Sequence, residues 1–401
     1  MRDALFPEKL LLRQSLTVGK YATRSLLSPF GNGILGDFKL ATKEQAAVGA
    51  ATAGNSLHAA AQASQKMVDD LKEQARRLAL HCNSYRGSIP HIAARQLVTT
   101  LVLLVAVVAA MFATVDHAYW LTLVLAFPAA GLLIRCFIIQ HDCGHGSFLS
   151  SRTGNDAVGR FLSVLTFTPY GLWKREHAQH HASSGNLERR GVGDIDTWTV
   201  REWKTAPRLE QMRYALYRNP LFLFGFGVPF YFLVLQRLPW FHPYPAGQTW
   251  KSVIGLNLGL LLLYTPIVLA FGWLSVVMVV LPVLHLTAAL GGWLFFIQHQ
   301  FEGTHWEHSD EWQFQVAALQ GSSYYVLPRW LNWFTGDIAL HHIHHLNSMI
   351  PNYRLQDCLK ASPELQAMNR LSIADSLRCA KLKLWDDSSR RLVTFAEARA
   401  L

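Results

Sequence analysis

Apolar residues run along this chain in long blocks rather than in alternation. Leu97 to Thr114 and Ala118 to Ile139 are almost wholly apolar, each about 18 to 22 residues, the length that crosses a bilayer as a helix. Only a short turn with Asp116 and His117 separates them. Val253 to Gly272 and Leu274 to Ile297 form a second pair, joined through Phe271-Gly272-Trp273. Two other apolar stretches are poorer. Phe161 to Trp173 is short and holds Pro169, which predicts an interfacial helix. Pro220 to Gln236 is broken by Pro220, Gly225, Gly227 and Pro229 and reads as re-entrant or interfacial. Outside these blocks, Leu57 to Leu80 predicts a helix rich in Ala, Gln, Lys and Glu, and Leu371 to Trp385 an amphipathic helix. The pattern predicts an all-α polytopic membrane protein: four transmembrane helices in two hairpins under a histidine-rich cytoplasmic cap. Residues 1–90 are then an N-terminal extension with a mobile leader and an amphipathic helix, 91–360 the membrane domain, and 361–401 a C-terminal cytoplasmic tail.

Composition agrees with this. Hydrophobic residues make up 51% of the 401 and charged residues 16%, which is membrane-protein usage. The net charge of +10 flanks apolar spans and builds no basic domain, so it suits anionic lipid and not nucleic acid. Arg152, Arg160, Lys174, Arg175, Arg189 and Arg190 follow the second block, whereas the first turn carries no Lys or Arg. By the positive-inside rule both termini and the polar segments face the cytoplasm, or the equivalent organelle side. Arg135, near the end of the second block, is expected to snorkel to that interface. Residues 1–55 carry basic residues without a secretory apolar core, and Asp3, Glu8, Asp37 and Glu44 are more acid than an organelle transit peptide usually holds. Five cysteines without CxxC spacing indicate neither a disulfide framework nor a thiolate zinc site.

The chemistry lies in histidines at the ends of the blocks. His141 and His145 form an HxxxH pair directly after the second block. His177, His180 and His181 form an HxxHH set, and His341, His344 and His345 form another. In a helix over 337–347 these last three share a face and His342 points away. With His299, which follows the last block, nine imidazoles stand on one side of the membrane. That many nitrogens exceed one ion's needs; two ions with four or five imidazoles each would use them, and such ligands suit iron, copper, zinc or nickel. HExxH and GxSxG are missing from the sequence, and no dinucleotide-binding glycine loop stands in strand-turn-helix context, which turns the reading from hydrolysis toward redox chemistry.

The remaining histidines fit less well. His285 lies on the same predicted helix as His299, 14 residues earlier and so about 21 Å away, and is expected to make a polar contact inside the bundle. His305 and His308 fall off the face of His299 and read as supporting or surface residues; His58, His81, His91, His117 and His242 are isolated. Acceptors for the outer ring nitrogens of metal-bound imidazoles are sought at Asp337, four residues before His341, and at Asp142, Glu302 and Asn347. Asp194 and Asp196 serve equally well as loop residues.

These boxes resemble the three histidine boxes, HxxxH, HxxHH and HxxHH, of the membrane fatty acid desaturases. Pro169-Tyr170 with Trp173-Lys174, Gln298-His299-Gln300-Phe301-Glu302, and His341 through Leu355 are similar to the acyl-lipid omega-6 (delta-12) group. The resemblance covers about residues 85–360. It implies two non-haem iron ions in a cytoplasmic cap, O2 and two electrons as co-substrates, and an acyl chain, lipid-linked, as substrate. An unactivated methylene has no acidic proton and no leaving group, so the oxidising power is the metal's to supply; the protein holds the chain in a dry tunnel, with Trp293, Phe295 and Phe296 as candidate walls. No His-Pro-Gly-Gly haem signature or iron–sulfur spacing is present, so electrons come from a separate donor, a ferredoxin or a b-type cytochrome. A membrane di-iron hydroxylase of fatty acids, alkanes, sterols or carotenoids is the alternative within this architecture, and a metal transporter the alternative outside enzymes.

Overall fold

The computed structural model describes residues 62, 66–238, 242 and 244–401. The chain divides into two units, 1–70 and 71–401. The leader and the start of the helix expected from Leu57 lie outside the described residues, as does His58; residues 66–83 are helical.

Among the described residues, five helices are long and apolar enough to cross a membrane by length and composition: Pro90–Thr114, Tyr119–His145, Pro220–Arg237, Ala246–Phe271 and Trp273–His299. We name the first two α1 and α2. Pro90 opens α1, where its fixed φ and missing N–H cost nothing. Gly146, at φ 77°, closes α2 by returning its N–H to the carbonyls of Asp142 and Cys143, a left-handed stop that a side chain would disfavour. The helices Arg152–Leu165 (α3) and Tyr170–Ser183 (α4) follow. The single interfacial helix expected over Phe161–Trp173 is therefore two helices, because Thr166–Pro169 breaks the chain and Pro169 caps the second. Pro220–Arg237 changes from α to π to α to 3₁₀ winding, as its prolines and glycines favour. Ala246–Phe271 (α5) and Trp273–His299 (α6) turn on Gly272.

The membrane core is built by α1, α2 and α6 around Leu104, Met111, Ala126, Leu133, Val279 and Val283. Their outer faces leave large apolar side chains bare; Val105 is 66% exposed, Leu262 on α5 78% and Leu269 82%. Such a belt needs lipid to cover it. Two expectations fail here. His285 is exposed on α6, one residue past the buried Leu284, and so is not buried inside the bundle. Arg135 does not snorkel: it is buried, donates to Thr100 Oγ1 at 3.1 Å and to the Trp333 carbonyl, and lies under the Trp333 ring.

The polar segments outside these helices are less regular. Arg329–Thr335 (α7), His341–Leu346 (α8) and Asn352–Lys360 (α9) carry the third box and its flanks. The helix expected over 337–347 is confined to α8, since Gly336 and Asp337 both take positive φ, 54° and 58°, and interrupt it. The framework is all-α, trimmed by strands of two or three residues. Trp198–Thr199 (β1) runs parallel to Leu384–Asp386 (β4), which pairs antiparallel with Arg391–Val393 (β5); Tyr324–Tyr325 (β2) runs parallel to Arg370–Leu371 (β3). The amphipathic helix expected over Leu371–Trp385 is thus reduced to Ile373–Cys379. Its C-terminal part is drawn into the β4–β5 hairpin, whose turn is tied by Ser388 and Ser389 donating to Asp386.

Candidate metal centre

α2 delivers His141 and His145 one turn apart at its end, α4 carries His177, His180 and His181, α6 ends on His299, and α8 holds His341, His344 and His345. These nine histidines come together in two groups. One is His141, His145, His177, His181 and His344; the other is His180, His299, His341 and His345. Within each group one ring nitrogen per residue lies within 4.8 Å of all the others. The groups adjoin, with the His181 and His345 rings stacked at 4.1 Å between centroids.

Each HxxHH box is shared between the groups. At about 100° per residue, positions i and i+4 point roughly 40° apart, whereas i+3 falls roughly 60° to the other side. His177 and His181 therefore turn to the five-histidine group and His180 to the other. His341 and His345 turn to the four-histidine group and His344 away from them. The shared face expected for all three members of a box is in fact two faces.

The ring nitrogens crowd together. Nε2 of His177 lies 2.9 Å from that of His145 and 3.1 Å from that of His181, which lies 3.1 Å from that of His344. Nε2 of His299 is 3.1 Å from that of His180 and 3.0 Å from that of His341. A neutral imidazole has one donor and one acceptor, so these contacts cannot all be hydrogen bonds. Nδ1 of His341 and of His344, and Nε2 of His345, have no protein partner although buried. Burial, and then the neighbouring histidines, hold His177, His181, His341, His344 and His345 well below the usual imidazole range. Neutral, converging lone pairs of this kind fit a cation in each group.

Other residues aim the rings. His141 Nδ1 donates to Asp142 Oδ1 at 3.1 Å. The other Asp142 oxygen accepts from the backbone N–H and the side-chain amide of Asn352, at 2.6 and 2.8 Å, while Asn352 Oδ1 accepts from Gln96 at 2.8 Å. In the second group His180 Nδ1 donates to Asp194, and His299 Nδ1 donates to the Gly321 carbonyl at 3.0 Å. Gln300, next to His299, accepts from the buried Arg218, which also binds the carbonyls of Asp196 and Leu382.

Of the acceptors sought in the sequence, Asp142 stands beside a clustered histidine. Asp337 does not: it is off the α8 helix and accepts from Gln356 at 2.9 Å. Glu302 accepts from Arg391, and Asn347 donates to Asn83. Asp194 meets His180; Asp196 accepts from the Trp198 indole. His342 points away, its Nε2 donating to the Leu365 carbonyl at 3.0 Å. His305 is half-buried beside a small cavity that Asp194, His299 and Trp306 also line; His308 pairs with Glu188 at the surface. His91 and His117 are exposed, His81 bonds the Cys358 carbonyl, and His242 donates to the buried Glu176 at 2.6 Å. Of the candidate tunnel walls Phe295 touches the centre, against His180 and His299. Phe296 and Trp293 pack on Phe224 instead. Trp173 stacks flat on His177 at 4.8 Å. Asn352 and the Gly321 carbonyl were not legible: neither residue type nor spacing signals a carbonyl or an amide that becomes a neighbour only through folding.

The family model described as fatty acid desaturase matches residues 117–375. A fatty acid desaturase of Bacillus subtilis is 38% identical over 287 residues, 71% of this chain and 80% of that protein. The sn-1 oleoyl-lipid 12-desaturase of Synechocystis is 25% identical over 56% of this chain and 63% of its own length. The sn-1 acyl-lipid omega-3 desaturase (ferredoxin) of the same organism is 29% identical over 56% of this chain and 62% of its own length.

Proposed function

This chain belongs to the fatty acid desaturase family, and on that premise we propose that its two histidine groups hold two non-haem iron ions in a single desaturating centre. The protein is an O2-dependent oxidoreductase that introduces a double bond into a fatty acyl chain. The reaction balances as –CH2–CH2– plus O2, two electrons and two protons giving –CH=CH– and two waters. The observation that carries the metal reading is the convergence of nine imidazoles into two adjoining groups. His141, His145, His177, His181 and His344 hold one ion; His180, His299, His341 and His345 hold the other. Iron, when bound, supplies the oxidising chemistry that no side chain here can. Asp142 and Asp194 fix the ring nitrogens that face outward, so the inward ones remain lone-pair donors. Phe295 and Trp173 exclude water beside the rings.

The substrate in this reading is a lipid-linked acyl chain, desaturated with omega-6 (delta-12) selectivity. The 12-desaturase among the relatives supports this. Electrons arrive from a separate ferredoxin or b-type cytochrome; one relative is named for ferredoxin, and the basic polar face suits an acidic donor.

The topology is four crossings in two hairpins. His145 ends α2 and His299 ends α6, yet their rings belong to adjoining groups, so an even number of crossings separates them. Pro220–Arg237 is then re-entrant or interfacial, and its mixed winding supports that. The positive-inside bias puts the centre and both termini in the cytoplasm or on the equivalent organelle side. Residues 1–90 remain an extension and 361–401 a tail.

Gas chromatography with mass spectrometry of lipids from a host expressing the chain tests this reading. A new double bond, at the twelfth carbon, is expected; a hydroxylated acyl chain defeats it in favour of the hydroxylase. Metal analysis of the purified protein should find about two irons per chain, and stoichiometric zinc would overturn the redox centre.

A further inference from the structure

α7, Arg329–Thr335, precedes the third box and has no counterpart among the blocks of the hydropathy pattern. Its position is set by its contacts with α2. A side-chain carbon placed on Gly131 would stand 2.7 Å from the Phe334 ring, and one on Gly336 would stand 3.0 Å from Ile138. Gly131 lies eight residues inside the apolar run that ends at Ile139, about 12 Å along the helix at ~1.5 Å per residue. Phe334 therefore packs within the depth of the membrane-spanning part of α2, well below His141. Arg135, a charged residue inside that same span, donates to the Trp333 carbonyl in the last turn of α7 and stacks beneath the Trp333 ring. A buried cation at a helix C-terminus satisfies carbonyls that lipid could not.

The other side of α7 is uncovered. Trp330 is 64% exposed and Trp333 38%, with Arg329 and Pro328 exposed beside them. Tryptophan with arginine is the composition of the membrane–water boundary, the indole among upper acyl chains and the guanidinium among headgroups.

We propose that α7 is a re-entrant element sunk into the leaflet on the side of the histidine groups, its partner being the acyl chains of the bilayer. The register against Gly131 and Ile138 sets its depth, the bare face of α2 continues into it, and Arg135 closes its lower end. The chain thus passes through the leaflet directly before it builds α8. This rests on α2 spanning a membrane and not on the identity of the metal or the substrate.

The test is a nitroxide label at W330C in the full chain reconstituted into phosphatidylcholine–phosphatidylglycerol vesicles, the native cysteines being buried. Label collisions with O2 and with a membrane-impermeant nickel chelate are compared with those at L262C, on the bare face of α5, and at E311C, in an exposed turn. The expected result is oxygen access as at L262C and at least a several-fold loss of nickel access relative to E311C. Nickel access equal to E311C overturns the proposal. So does a label shielded from both reagents, which would mean a protein surface covers α7. Photolabelling of the unmodified protein with a lipid-partitioning diazirine needs no variant: modification of the peptide containing 329–335 is expected, and an unlabelled peptide beside a labelled α5 overturns the proposal.

Discussion

The two histidine groups have almost the same chemistry and quite different supports. The five-histidine group is anchored from the long apolar helices. Asp142, on the long apolar helix α2, takes three donors, two of them from Asn352, which is tied in turn to Gln96 on α1. Every member of that chain is buried. The four-histidine group is anchored from the polar loops. Asp194 sits in a loop, one of its oxygens has no protein partner, His299 leans on a loop carbonyl, and Gln300 is held by an arginine that reaches to the C-terminal tail. One site is braced by packed helices and a buried polar network, the other by loops that could loosen together. The difference teaches that a centre of nearly uniform ligands can have unequal rigidity.

The largest effects come from removing one histidine from each group. His344→Ala and His180→Ala should both reduce lipid desaturation to background while leaving membrane insertion intact. Each should also lower bound metal from about two ions per chain toward about one, because binding is assembled from all members of a group. Metal analysis with desaturation assays on both variants checks this. Loss of both ions from either variant would mean that the groups act as one site and would dissolve the comparison.

Next come the carboxylates. Asp142→Asn and Asp194→Asn should each weaken metal retention or turnover by about 10- to 100-fold, the usual cost of losing the partner of a ligating histidine. They should differ in stability. Asp142→Asn disturbs two Asn352 donors in a fully buried network and should lower the thermal midpoint clearly; Asp194→Asn should lower it little. Asn352→Ala should reproduce part of the Asp142→Asn effect, a few-fold faster metal loss with the four-histidine group still loaded. Chelator-release kinetics and thermal scanning separate these outcomes, and equal destabilisation by the two carboxylate variants would remove the contrast in rigidity.

What could be read in the sequence follows from this geometry. The long apolar helices were legible because they come from continuous apolar runs, and the boxes because spacings of three and four residues keep imidazoles near one another on a helix. Their division was not, since it depends on where α4 and α8 cross: only then does His180 part from His177 and His181, and His344 from His341 and His345. Asp337 misled for a related reason. Four residues before His341 is a helical neighbour only if the helix continues, and the left-handed pair Gly336-Asp337 ends it. Arg135 looked like a snorkelling residue because α7, which covers it, is too short to register in the hydropathy pattern. The expected helix over Leu371–Trp385 ran past Cys379 because Leu384 and Trp385 are buried by pairing with β5 and not by a helical stripe.

The smallest effect concerns the loop support of the four-histidine group and is visible in its pH dependence. Lys383 Nζ donates to the carbonyls of Arg218 and Ala380, and burial, then the Arg218 charge, lowers its ammonium to about 8. An unfolded lysine titrates near 10.4. Between about pH 8 and 10.4 the unfolded segment around Lys383 therefore binds more protons than the folded one, and its stability rises with pH across that window. Below pH 8 the lysine is charged in both states and the cost of burying it is constant. Hydrogen exchange of residues 380–393 should slow modestly from pH 8 to 10 after correction for the intrinsic rate, and Lys383→Met should abolish that slope. Exchange around Asn352, in the braced half, should show no such dependence. A slope that survives Lys383→Met would assign the titration to another group and leave the two supports equally insensitive to pH.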